Sequence, residues 1–161
     1  MIPYVKNETV VVSGLAAHLG ITIKRTNQTA PAPAYPYGAY TVTTLASANN
    51  GTWQRHPDGK DRKLVRSIWS LSFMSDDNDQ SVQLAVKARD WLEHTGRTYL
   101  KDHDIIVQST TEITNRDNVL TAGYEYKNGF DVVFYVYDEV ENPVEETGYI
   151  ETLETQTKSI N

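Results

Sequence analysis

From Gly129 onward the chain alternates as an extended strand does. Phe130, Val132, Phe134 and Val136 fall on one face, and Asp131, Val133, Tyr135 and Tyr137 on the other. The first face is apolar enough to be core. The second carries one charge and two tyrosines, whose rings are apolar and whose hydroxyls seek water or a partner. Residues 124–137 hold six of the chain's sixteen aromatics. Two partly apolar faces are unusual for an edge strand of a lone domain. A helix or another protein chain must cover the second one.

The remaining periodicities predict an order of elements. Asn7 or Thr9 caps a first helix running to about His18, with Val12, Leu15, Ala16 and Leu19 as its stripe and Gly20 as its C-cap. Ile21, Ile23 and Arg25 read as a short extended piece. Residues 26–38 contain three prolines and form neither helix nor central strand; they lie extended against the body or act as a linker. Ala39–Leu45 reads as a strand. So does Val65–Met74, with Trp69, Leu71 and Phe73 on one face and Ile68, Ser70, Ser72 and Met74 on the other. The polar stretch Ala46–Lys63 between them is predicted as a long hairpin loop.

Ser75, Asp76, Asp77, Asn78 and Asp79 offer caps for the clearest helix of the chain, whose buried stripe is Leu84, Ala85, Ala88, Trp91 and Leu92. Lys87, Arg89, Asp90 and Glu93 face water, and Gly96 ends the helix. Asp104–Thr114 follows as a strand, then a turn around residues 115–118, the aromatic strand, and a last strand at Gly148–Leu153. The tail 154–161 is irregular. The expected fold is α+β: a single domain over residues 1–161. A mostly antiparallel sheet of four or five strands carries two main helices on one face.

Composition narrows the function. The 161-residue chain carries a formal net charge of -6 and 39% hydrophobic residues, enough for one two-layer core. That charge speaks against a dedicated nucleic-acid binder, though not against a surface over which DNA passes. The absence of cysteine removes disulfides, thiol nucleophiles and cysteine-based zinc sites. No signal-peptide pattern opens the chain, and no apolar run is long enough to span a membrane. A cytoplasmic setting is expected.

Candidate chemistry is sparse. The nine glycines form no nucleotide-binding loop, and there is no Gly-x-Ser-x-Gly elbow. His103 sits among Lys101, Asp102 and Asp104, but lacks a second histidine at ligand spacing. Asp76, Asp77 and Asp79 do not match a calcium loop, so capping is the simpler role. No catalytic residue, cofactor or metal is expected. The charge distribution says more. Arg55, Lys60, Arg62, Lys63 and Arg66 cluster against only Asp58 and Asp61. Asp138, Glu139, Glu141, Glu145, Glu146, Glu151 and Glu154 run without a single Lys or Arg. Such runs are commonly solvated faces. Separate basic and acidic lobes also suit head-to-tail self-association.

Four pieces in order resemble the tail-terminator, or neck-terminator, proteins of long-tailed bacteriophages. They are the first helix with Ala32-Pro33-Ala34-Tyr35-Pro36-Tyr37, the strand Ile68–Met74 with its acidic turn, the helix Ala85–Leu92, and Asn115-Arg116-Asp117 leading to Tyr124–Val132. In that family the last stretch reads aromatic-Glu-x-basic-x-Gly-Phe-Asp-Val, matched here by Tyr124, Glu125, Lys127, Gly129, Phe130, Asp131 and Val132. The resemblance covers about residues 5 to 153. The Ala46–Lys63 loop and the tail after Leu153 depart from it, leaving the docking surfaces open.

The resemblance implies a homo-hexameric ring on the head-proximal end of the tail tube, assembled in the host cytoplasm and carried in the virion. The ring stops tube polymerisation and meets the tube protein and the head-completion protein at the neck, with DNA passing through its lumen unbound. The family has no catalytic residues to carry over. The candidate interface is Arg55, Lys60, Arg62, Lys63 and Arg66 of one copy against Asp131, Tyr135, Tyr137, Asp138, Glu139, Glu141, Glu145 and Glu146 of the next. The rivals are another head–tail connector component and, at greater distance, a small enzyme or ligand-binding module.

Overall fold

A long antiparallel ribbon organises the molecule. The computed structural model describes residues 1–47, 51–120 and 123–142. In chain order the elements are α1 (Tyr4–Leu19), β1 (Thr22–Arg25), β2 (Tyr37–Thr44), β3 (Gln54–Arg55) and β4 (Lys60–Ser75). Then come α2 (Asn78–Asp90), a π-helical turn (Trp91–Thr95), α3 (Arg97–Asp102), β5 (Ile105–Thr110), β6 (Thr114–Asn115), β7 (Asn118–Leu120) and β8 (Gly123–Glu141). The main sheet runs β1-β2-β4-β8-β5, with β3 on β4 and the short β6 and β7 on β8. Only β1 and β2 pair in parallel. The fold is α+β with a mostly antiparallel sheet, as the periodicities imply.

The β4–β8 register runs unbroken from Lys60↔Glu141 to Ser75↔Tyr126. It sets Val65, Trp69, Leu71 and Phe73 beside Val136, Val132, Phe130 and Asn128, on the face that the helices bury. Phe130, Val132, Phe134 and Val136 are all buried, so the predicted core face is correct. The strand itself lies inside the sheet, between β4 and β5, and not at an edge. Because β4 and β5 are both antiparallel to β8, they run parallel to each other. The helical segment α2–α3 is the crossover that this direction requires.

The helices follow their sequence signals with three corrections. Helix α1 starts at Tyr4, earlier than Asn7 or Thr9, because Pro3 stands at its N-cap with φ fixed near -75°. Thr9 is used otherwise, donating its hydroxyl to Val5 O at 2.8 Å. The buried stripe is Asn7, Val11 and Leu15; of the expected residues Leu15 is buried, while Val12 and Leu19 pack at its margin and Ala16 is only half-buried. Gly20 is the left-handed C-cap, as expected. The stripe Leu84, Ala85 and Ala88 of α2, continued by Trp91 and Leu92 in the π-helical turn, is buried throughout, and Asp77 caps α2 by accepting from the Asp79 N–H at 3.2 Å.

Gly96 does not end the helical run. A third helix, α3, continues directly, and glycine is required there for space: a Cβ would overlap the Trp91 indole. The predicted loop Ala46–Lys63 is also shorter than expected. Gln54 and Arg55 pair with Arg62 and Asp61 around a turn at Gly59, so Lys60–Lys63 belong to β4. The expected strand Asp104–Thr114 breaks into β5 and β6. The expected strand Gly148–Leu153 and the tail 154–161 lie outside the described residues. No helix among those described is long and apolar enough to cross a membrane.

Candidate protein–protein interface

Strand alternation creates two unlike sheet faces. One packs under α1, α2, the π-helical turn and α3. The other carries Tyr37, Ala39 and Thr41 of β2, Arg62, Leu64, Arg66, Ile68, Ser70, Ser72 and Met74 of β4, and Asp131, Val133, Tyr135, Tyr137 and Glu139 of β8. Among the described residues no helix covers this face. Leu64, Arg66, Ile68, Tyr135 and Tyr137 are only half-buried there.

The charged runs meet within one chain. The register opposes Arg62 to Glu139 and Lys60 to Glu141. Arg62 Nε donates to Glu139 at 2.9 Å, Lys60 Nζ lies 3.6 Å from Glu139, and Arg62 also reaches Asp58 at 2.8 Å. Arg55 lies 3.3 Å from Asp61, and Asp138 lies 3.4 Å from the Met1 amino group. Lys63 sits 4.8 Å over the Trp53 ring. Over the described residues the basic stretch and the start of the acidic one are therefore not separate, because antiparallel pairing sets Lys60–Lys63 beside Asp138–Glu141. Glu141 is exposed at the ribbon's end, and Glu145 and Glu146 lie outside the described residues.

Arg66 is the exception. It stands opposite Tyr135 on the open face, and its Nε is buried without a hydrogen-bond partner. Among the described residues no carboxylate pairs with it. Around it the half-buried Leu64, Ile68, Tyr135 and Tyr137 make a band of aliphatic and aromatic surface over the buried Val133.

At the opposite end of the same face the turn after β6 closes over the sheet. Arg116 donates to Ser70 Oγ at 2.8 Å and Ser72 Oγ at 3.3 Å, and pairs with Asp131 at 3.2 Å. Sequence reasoning missed this function for Arg116, since its partners are 44 and 46 residues away. With Lys24, Lys127 and Glu125 it lines a cleft of about 280 Å³. Glu125 accepts the Tyr35 hydroxyl at 2.7 Å, and that bond pushes the Tyr35 phenol up to about 12. Asp117 accepts the Lys127 N–H at 2.7 Å, and burial, which would raise its carboxyl, is outweighed by this bond and those from Asn115 and Tyr124, so it sits below the ordinary value.

These contacts explain the Tyr124–Val132 stretch physically. A Cβ on Gly129 would collide with the Leu71 carbonyl of the neighbouring strand, and Phe130 and Val132 fill the core. Asp131 is tied to Thr111 by two bonds of 2.8 Å as well as to Arg116. His103, by contrast, serves the end of α3: its Nδ1 lies 2.7 Å from Tyr99 O and its ring rests 4.7 Å from the Tyr99 ring. Among the described residues no group of three or more His, Cys, Asp or Glu is placed to hold a metal ion.

Comparison with known proteins returns one family. The family model described as phage neck terminator protein matches residues 9–161, and no curated protein matches the chain.

Proposed function

Because the chain belongs to the phage neck terminator family, we propose that six copies close into a ring on the head-proximal end of the tail tube. The ring stops tube polymerisation and offers a surface to the head-completion protein. Membership alone makes the protein a bacteriophage structural component of the neck. The hexamer, its partners and its assembly in the host cytoplasm are the further reading.

One observation carries it. The open face of the β4–β8 ribbon sets Arg66 among Leu64, Ile68, Val133, Tyr135 and Tyr137, with no helix over them among the described residues. Aromatic residues and arginine amid aliphatic surface are the composition of interface cores. A heterologous contact made there can close into a ring. The revised contact drops Lys60 and Arg62, whose charge is already met within the chain, and rests on Arg66 and the two tyrosines. The net charge of -6 supports a lumen that repels DNA phosphate and lets the duplex pass.

Sedimentation velocity and negative-stain imaging of the purified protein test this. A closed six-membered ring that adds to finished tails is expected. A particle that stays monomeric at high concentration and never joins tails overturns the reading. Binding to the portal, or growth into tubes, assigns the chain to another connector role.

A further inference from the structure

We propose that the cationic cleft on the open face of one copy receives the acidic C-terminal segment, Glu145 to Glu154, of the neighbouring copy. The inference rests on the head-to-tail ring proposed above and names a second contact within it.

The cleft is built to take carboxylates. Arg116 is held over it by Ser70, Ser72 and Asp131, and Lys24 and Lys127 enter from β1 and β8. Among the described residues neither lysine has an ion-pair partner; Lys24 lies 5.4 Å over the Tyr37 ring. Glu125, the one acid in the lining, is engaged by Tyr35 and Tyr37. The cleft is thus a local excess of positive charge on a chain whose net charge is -6.

The same chain supplies the complementary charge. Asp138 and Glu139 are spent on contacts within the subunit. Beyond them Glu145, Glu146, Glu151 and Glu154 follow with no Lys or Arg between.

Length favours the neighbour's segment. The cleft lies beside the Ser72↔Gly129 pair, and β8 runs away from it to Glu141. At about 3.3 Å per residue, Asn142 is roughly 43 Å from Gly129. A fully extended chain carries Glu146 at most about 14 Å from Asn142, and Glu151 about 32 Å. A copy's own Glu145, Glu146 and Glu151 fall short of the level of its own cleft, and Glu154, about 43 Å from Asn142, comes level with it only with the chain fully extended. A head-to-tail neighbour brings the ribbon end of one copy to the cleft of the next.

The cysteine-free chain makes the test clean. One full-length preparation carries Thr41→Cys, in the cleft lining; a second carries Thr147→Cys, beside the acids. Neither removes a charge. After mixing, subunit exchange and mild oxidation, a disulfide-linked heterodimer is expected, at least fivefold weaker in 1 M salt or when Lys24→Glu and Lys127→Glu accompany Thr41→Cys. A wild-type ring by sedimentation with no heterodimer overturns this contact and leaves the ring standing. A wild-type monomer with no heterodimer overturns both. A band shift of duplex DNA that the two lysine changes abolish gives the cleft to phosphate instead, and also overturns the proposal.

Discussion

Arg62 Nε donates to Glu139 Oε1 at 2.9 Å across the β4–β8 ladder, and the register makes the two residues direct cross-strand partners. A pair this exposed contributes at most about 1 kcal/mol, so its significance is its position. It satisfies within one subunit the charge that the sequence pattern leaves free for a neighbour.

Arg66 and Arg62 should therefore separate in mutagenesis. Arg62→Ala is expected to lower stability by about 0.5–1 kcal/mol and leave assembly intact. Arg66→Glu is expected to abolish the ring while the subunit still unfolds cooperatively. Sedimentation velocity beside thermal unfolding reads both. A ring that survives Arg66→Glu removes this residue from the interface.

Gly96→Ala forces a methyl group into the Trp91 indole. Overpacking of this kind costs about 1–3 kcal/mol, and a chain of this size loses roughly 2–4 °C in Tm per kcal/mol. The near-ultraviolet circular dichroism of Trp91, which also packs 6.0 Å from Tyr99, should change with it. An unchanged Tm contradicts the packing described.

Ser81 joins α2 to two strands. Its buried hydroxyl donates to Phe73 O at 2.8 Å and accepts from Asn128 N at 3.1 Å and Nδ2 at 3.0 Å. Ser81→Ala strands these groups in the core at a cost of about 2–3 kcal/mol. Faster amide exchange at Asn128, measured by NMR, is the local signature.

Glu8 gives stability an acid limb. Burial pushes its carboxyl up, but hydrogen bonds from Tyr40, Arg25 and Tyr4 outweigh that and hold it below its ordinary 4.5. The native state thus favours the carboxylate. Its contribution is present above the unfolded value and lost as pH falls through the lower folded one. Tyr40 shows the opposite sign: burial and its bond to Glu8 push the phenol up to about 12, so its contribution is lost as pH rises from 10 toward 12. Profiles of Tm against pH should flatten below pH 5 in Glu8→Gln and above pH 10 in Tyr40→Phe.

Local pattern made much of the architecture legible. The 3.6-residue stripe of α2 and the two-residue alternation of β4 and β8 identify their buried faces without any knowledge of neighbours, because burial selects apolar residues at the helix or strand period. The aromatic second face of β8 was legible in the same way. Helix α3 was not, because a glycine reads as a stop whether it frees the backbone or merely makes room for Trp91.

What the residues settled alone was which positions of α2 and β8 turn inward and that Tyr135 and Tyr137 share the face of β8 turned away from the helices. What only the tertiary structure decided was partnership. Antiparallel pairing of β4 with β8 brings Arg62 to Glu139 across 77 residues of sequence and leaves Arg66 unmet among the described residues. It also lets Arg116 reach Ser70 across 46 residues. Such pairings depend on register between distant strands, which no local periodicity encodes.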